Sequence, residues 1–133
     1  LVLDEPTAGL DPEERIRFRG IISELSQQKL VLLSTHIVSD LEAVANEIIL
    51  LRKGVVLEMQ KPASLLEHLN GQVWLVTVPA ADEAALTKQY TCSNVMHTDG
   101  KSVIRLLSES APRPDAVPTA PNMEDLYLYY FGR

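Results

Sequence analysis

Cysteine is almost missing from this chain. Cys92 stands alone among 133 residues, so no internal disulfide can form, and a small disulfide-framed secreted scaffold is excluded in favour of a reducing compartment. A lone thiol of this kind reads as a packed or exposed side chain rather than a nucleophile. Long apolar runs are missing too. Stretches such as Leu30 to Leu33 and Ile48 to Leu51 fall far short of the roughly 18 residues of a membrane span, so any membrane contact is expected to pass through a partner. A basic excess is absent: 12 Lys and Arg face 18 Asp and Glu, for a net charge of −6. That balance offers no electrostatic footprint for a phosphate backbone, and nucleic acid is not an expected partner. No charged, apolar and small-residue succession marks a signal peptide. No internal repeat is present, and the only biased segment is a proline-rich connector near the end.

What is present is enough for a core, since 46 % of the residues are hydrophobic. The first residue is Leu1, not Met, and it already lies inside an apolar run, which leads us to expect a piece of something longer. Leu1 to Leu3 does not alternate, as in a strand covered on both faces of a parallel sheet. Asp11 then reads as a helix N-cap, with Pro12 at the first helical position and Glu14 in capping-box spacing. Phe18, Ile21, Ile22 and Leu25 follow at i, i+3, i+4 and i+7 and predict one apolar stripe. Leu30 to Leu33 is a second unalternating run. Strand, helix and strand in this order form a crossover unit, in which sites lie beyond the carboxyl ends of the strands. Asp4, Glu5 and His36 fall at those ends.

Ser39 and Glu42 have the spacing of another capping box, with Leu41, Val44, Ala45 and Ile48 as the inward stripe of a short helix. Ile48 to Leu51 and Val55 to Met59 read as a hairpin turning at Arg52-Lys53-Gly54. Pro62 opens a helix through Leu69, and Asn70-Gly71 is the expected boundary between a unit at 1–70 and a second at 71–133. The second unit reads as small and α+β: a strand at Val73 to Val78, an Ala-rich helix at Asp82 to Gln89, and a hairpin of Val95 to Thr98 with Ser102 to Leu107 around Asp99-Gly100, a dipeptide favouring a type I′ turn. Ser110 to Pro121 carries four of the eight prolines and predicts an extended connector. Asn122 caps a closing helix through Phe131, whose stripe is expected to pack Leu126 and Tyr130 onto the sheet. Asp82, Glu83, His68 and His97 lack metal-ligand spacing and read as surface groups.

The opening LVLDEPTAGLDP puts two carboxylates at the tip of an apolar strand. One such side chain can hold Mg²⁺ and the other can accept a proton from a water attacking a phosphate. Asp4 is the metal-side candidate, directly or through a coordinated water, and Glu5 the base candidate.

Together with LVLLSTHIVSDLEAVANEIILLRKG, this run resembles the second half of the nucleotide-binding domain of ATP-binding cassette (ABC) transporters, over residues 1 to about 70. The resemblance implies that Asp4 and Glu5 match the Walker B aspartate and catalytic glutamate. It likewise matches Ala8-Gly9-Leu10-Asp11 to the D-loop and His36 to the switch histidine that hydrogen-bonds the γ-phosphate. Asp11 then has two readings, an N-cap and the D-loop acid facing a second subunit across bound nucleotide, and both stand. The implied fold class is α/β: the C-terminal half of a P-loop NTPase domain with parallel strands and crossover helices, then a small α+β accessory domain. The implied cofactors are ATP and Mg²⁺. The implied partners are a membrane permease subunit and a second ATPase subunit bound head to tail, at the inner face of the cell membrane.

The Gly-rich G-x-x-x-x-G-K-[ST] loop and the LSGGQ-like motif of the family do not occur in the sequence, so the chain by itself is expected to be inactive. Glu58-Met59-Gln60 stands where the family commonly carries small residues and glycine. The second unit is similar to the tail on ATPase subunits of drug- and antibiotic-exporter-type ABC systems, in which a closing helix resembling Asn122 to Leu128 recurs. The alternatives are a soluble ABC-type ATPase acting on ribosomes or DNA, or a regulatory or dimerisation module.

Overall fold

A computed structural model describes residues 1–132; Arg133, the last residue of the unit expected at 71–133, lies outside the described residues. The chain divides into two compact units, Leu1–Pro62 and Ala63–Arg133.

The first unit starts with β1 (Val2–Asp4), α1 (Pro12–Leu25) and β2 (Leu32–Ser34). β1 and β2 pair in parallel with Val2 opposite Leu32, Leu3 opposite Leu33 and Asp4 opposite Ser34. The crossover reading of the sequence therefore describes the chain. Its expectation of burial on both faces does not. Val2 and Leu32 are 75 % and 53 % exposed, while Leu3 and Leu33 are half-buried. Side chains alternate across a strand, and with two strands in this sheet one face is covered and the other is open.

α1 begins as its sequence dictates. The Glu14 amide donates to Oδ1 of Asp11 at 2.9 Å, and the Asp11 amide donates back to the Glu14 carboxylate at 3.3 Å, which closes the capping box around Pro12. Ile22 is buried with Phe18 and Leu25 half-buried on the same stripe, whereas Ile21 is 49 % exposed. The covered face is thus i, i+4 and i+7, narrower than the predicted stripe. α2 (Ser39–Val44) starts one residue earlier than a Ser39 cap would place it: Val38, not Ser39, takes the N-cap position, and no side chain bonds the cap. Ser39 is inside the helix, next to Asp40, which is buried and bound by Thr7 and Arg15. Ile48 leaves the helical stripe and opens β3 (Ile48–Arg52), which pairs antiparallel with β4 (Val55–Gln60). Lys53 and Gly54 at the turn both take positive φ, 50° and 77°, as a two-residue type I′ connection requires.

α3 (Pro62–Glu67) leads into the second unit. Leu65 and Leu69 are fully buried, so the division falls at 62/63 whereas the change in composition points to 70/71. The remaining elements are β5 (Val73–Pro79), a 3-10 turn at Ala80–Asp82, α4 (Glu83–Gln89), β6 (Thr91–Thr98), β7 (Lys101–Leu107), β8 (Val117–Pro118) and α5 (Met123–Phe131). The sheet runs β6-β7-β5-β8, antiparallel throughout. β8 is the one element that the proline connector hides: two residues pair with Trp74 and Leu75 on an edge, where a strand proline is tolerated.

One face of this sheet presents Val76, Val78, Ile104 and Leu106, all essentially inaccessible, with Leu86 of α4, Tyr90, Val95 and half-buried Cys92 packed against them. Burying each such aliphatic side chain is worth about 1.5–3 kcal/mol. Burial also pushes the Cys92 thiol pKa up, which keeps it protonated and inert, as expected of a packed cysteine.

α5 occupies the other face, held by an ion pair that the sequence analysis did not anticipate. Asp125 is fully buried, and its carboxylate receives Arg105 Nη2 at 2.7 Å, Arg105 Nε at 3.0 Å, Ser93 Oγ at 2.5 Å and the Asn122 amide at 2.8 Å. Ser93 reaches it because β6 is irregular between Cys92 and Asn94; the extra residue of a bulge re-aims its side chain. Asn122 accepts from the Asp125 amide at 3.0 Å, so the expected cap forms a capping box with Asp125. Among the described residues, one parallel and two antiparallel sheets give a mixed α/β architecture. No helix among the described residues is long and apolar enough to cross a membrane.

Candidate active site

β1 and β2 end side by side, and their register sets Asp4 opposite Ser34. The Ser34 hydroxyl donates to Oδ1 of Asp4. One residue further, Glu5 turns the chain. Its φ is +46°, left-handed backbone that costs a non-glycine residue on the order of 1–3 kcal/mol and is found where surrounding contacts impose it. Here those contacts are the Glu5 amide on the Ser34 carbonyl at 2.8 Å and the Ala8 amide on the Glu5 carbonyl at 3.3 Å.

This turn carries the Glu5 carboxylate across to the end of β2. Oε1 lies 2.8 Å from Nδ1 of His36 and 3.0 Å from the His36 amide, and Oε2 accepts from the Thr35 hydroxyl at 3.2 Å. Thr35 in turn accepts the Ile37 amide at 2.9 Å, fixing the loop that presents His36. These hydrogen bonds, led by the one from His36, hold the Glu5 carboxyl below the usual carboxylate range. Because a carboxylate can only accept, Nδ1 carries the proton in this contact. The His36 side chain is 72 % exposed, so its other ring nitrogen faces open space.

Glu5 and His36 therefore meet across the adjacent ends of the two strands, and Asp4, one residue before Glu5, is bound by Ser34. Asp11 is not part of that cluster: it caps α1. Among the described residues no group of three or more His, Cys, Asp or Glu side chains is arranged to hold a metal ion. What the tip offers is carboxylate and hydroxyl oxygen, which is the donor chemistry of Mg²⁺ when it takes one or two carboxylates and leaves its remaining positions to water and phosphate.

Four residues near the site, Thr7, Arg15, Arg19 and Asp40, escaped the sequence reading. Asp40 is only 4 % exposed and accepts from Thr7 Oγ1 at 2.8 Å and from Arg15 Nη2 at 3.0 Å, with Arg19 Nε at 3.9 Å. Thr7 is equally buried. No local spacing signals these contacts, which join residues 25 and 33 positions apart. In the second unit, Glu83 and His97 are not independent surface groups: Glu83 Oε2 receives His97 Nε2 and Ser102 Oγ, each at 2.6 Å.

No protein-family model matches the chain. It is similar to the energy-coupling factor transporter ATP-binding protein EcfA2 of Staphylococcus saprophyticus, at 29 % identity over all of the chain and 35 % of the relative. EcfA2 of Lactococcus lactis subsp. cremoris is 37 % identical over 53 % of the chain and 25 % of its own length. An uncharacterized ABC transporter ATP-binding protein of Bacillus subtilis, YxlF, is 28 % identical over 80 % of the chain and 36 % of its own length. The chain thus spans between a quarter and somewhat over a third of the curated relatives it matches. By sequence the chain is similar to ABC transporter ATP-binding proteins over one part of their length.

Proposed function

We propose that the chain works as part of the ATP-hydrolysing subunit of an ABC transporter, in which residues 1–70 form the C-terminal portion of the ATPase domain and residues 71–133 a small α+β accessory domain. The observation that carries this reading is the 2.8 Å contact between Glu5 and His36 at the adjacent ends of parallel strands, with Asp4 one residue away. The accessory-domain reading is supported by the alignment with the S. saprophyticus protein, which runs through both units. A tail of the exporter type is our reading of its elements.

Asp4 would hold Mg²⁺. ATP and Mg²⁺ supply the triphosphate and the neutralisation of its charge. Glu5 is ionised at neutral pH, since its hydrogen bonds favour the charged form. His36 and its own amide occupy Oε1, so Oε2, which takes the longer contact from the Thr35 hydroxyl, is the oxygen that accepts a proton from water. His36, oriented through Nδ1, presents Nε2 toward the phosphate side, where it donates to a phosphate oxygen only in the doubly protonated imidazolium form, both ring nitrogens then being donors. Asp11, while capping α1, stands in the segment that would face a second ATPase subunit. A membrane permease is the partner that would use the resulting opening and closing.

Two measurements on purified protein test the reading. The longer protein carrying this chain should hydrolyse Mg·ATP and co-purify with a membrane protein, whereas the chain alone should show no turnover, because the G-x-x-x-x-G-K-[ST] pattern does not occur in its sequence. Hydrolysis by the chain alone, or co-purification with ribosomes in place of a membrane protein, would contradict it.

A further inference from the structure

The loops that leave β1 and β2 are tied twice. The first tie is Glu5 to His36. The second lies deeper: Thr7, two residues after Glu5, donates to Asp40, four residues after His36, at 2.8 Å, and both residues are only 4 % exposed. Asp40 is in turn bound by Arg15 at 3.0 Å and approached by Arg19 at 3.9 Å, one turn further along α1. Three segments converge on one carboxylate: the loop carrying Glu5, the helix that follows His36, and the helix that Asp11 caps.

A buried carboxylate must be paired, or its desolvation would drive it out. The two guanidinium groups supply the countercharge from α1, which leaves Oδ2 shared between Thr7 and Arg15. The contact with Thr7 is charge-assisted, and such bonds are stronger and more directional than those between neutral groups. It therefore restrains the distance between the two loops at a point that water does not reach, while the Glu5–His36 contact sits in the open with its imidazole largely exposed. The exposed tie is supported by backbone and Thr35 contacts at the strand ends, but a solvent-exposed pair of this kind is weak by itself. The buried tie adds, beyond the β1–β2 pairing, a second restraint on the two loops that carry the exposed pair.

We infer that Asp40, with Thr7, is a positioning residue for the Glu5–His36 pair, setting the approach of the two strand-end loops from beneath the site. This inference rests on the proposed role of that pair for its catalytic meaning, but the structural coupling is a property of the chain itself. It touches no reacting atom, and its effect is transmitted through the backbone from Thr7 to Glu5 and from Asp40 to His36.

The test reads the imidazole directly. In the chain at a pH where His36 is neutral, ¹⁵N–¹H correlation of the ring should show Nδ1 protonated, as the contact with Glu5 demands. Thr7→Val keeps the shape and removes the donor. It should lose the Nδ1–H form of His36 in favour of Nε2–H, while circular dichroism stays that of the unaltered chain. Thr7→Ser retains the hydroxyl and should restore the Nδ1–H form. Asp40→Asn keeps an acceptor for Thr7 and should preserve it more fully than Asp40→Ala. A folded Thr7→Val chain with its His36 tautomer unchanged would overturn the inference. Failure of the functional reading looks different: the longer protein would show no ATP hydrolysis although Thr7→Val still shifts the tautomer. Where hydrolysis is present, Thr7→Val should lower kcat with KM for ATP little changed, and an unaltered kcat would count against the positioning role.

Discussion

His36 Nδ1 lies 2.8 Å from Oε1 of Glu5, joining the ends of two parallel strands whose residues are 31 positions apart in sequence. The contact works as a fixed orientation in both directions. Glu5 selects the protonated nitrogen of His36, and His36 favours the charged form of Glu5.

The pH dependence of that pair follows from its sign. The Glu5 pKa is lowered, first by the His36 side-chain hydrogen bond. A depressed carboxylate contributes stability that is complete above its unfolded value and is lost as the pH falls through the folded one. Carboxyl ¹³C titration should place Glu5 below the usual glutamate range, and His36→Ala should move it up. A midpoint that does not respond to His36→Ala would show that the contact does not hold in solution.

Asp125 and Arg105 make a second prediction, on stability. Asp125→Ala strands Arg105, Ser93 and the Asn122 amide at a site that is inaccessible to water, and breaking one side of a buried pair costs about 3–5 kcal/mol. Trp74, the only tryptophan, lies in this unit with Nε1 on the Ser108 carbonyl, so its fluorescence during urea unfolding reports the loss. Replacing both charges with apolar residues should cost less than removing either one.

Glu83 gives a third. Its pKa is lowered first by the Ser102 hydroxyl and then by His97, so this contact also stabilises above the ordinary glutamate value and fails as the pH falls through the lowered one. Thermal unfolding followed at Trp74 should show that Glu83→Gln and Ser102→Ala lower the melting temperature at neutral pH, and that the gap to the unaltered chain closes on acidification. A gap that widens at low pH would contradict this.

Gly100 follows Asp99 in the β6–β7 turn, and both have positive φ, 73° and 47°. A side chain at position 100 meets no neighbouring atom within 4 Å, so the cost of Gly100→Ala is conformational alone, about 1–2 kcal/mol. Urea unfolding should give a value in that range, and a neutral substitution would mean that the turn rearranges.

Local chemistry was legible in the sequence, and nonlocal chemistry was not. Asp11-Pro12-Glu14, Asn122 and Asp99-Gly100 each act over at most three residues, and each forms the cap or turn its spacing predicts. Ser39 has the same spacing to Glu42, yet Val38 takes the cap. The neighbouring Asp40 is bound by Thr7 and Arg15, partners that no window around Ser39 contains. The same holds for Asp125, whose partners Ser93 and Arg105 lie on two different strands and depend on an irregularity in β6. At the candidate site, residue types and strand ends were readable because a parallel pair places its carboxyl ends together. The positive φ of Glu5, and the contacts that impose it, come only from tertiary structure.

The most direct measurement of the central claim is ATP turnover by the longer protein carrying Glu5→Gln, beside nucleotide affinity measured on the same protein. With Glu5 as the proton acceptor, turnover should fall roughly 10²–10⁴-fold while Mg·ATP binding is retained. Turnover left unchanged, with binding intact, would remove Glu5 from that role.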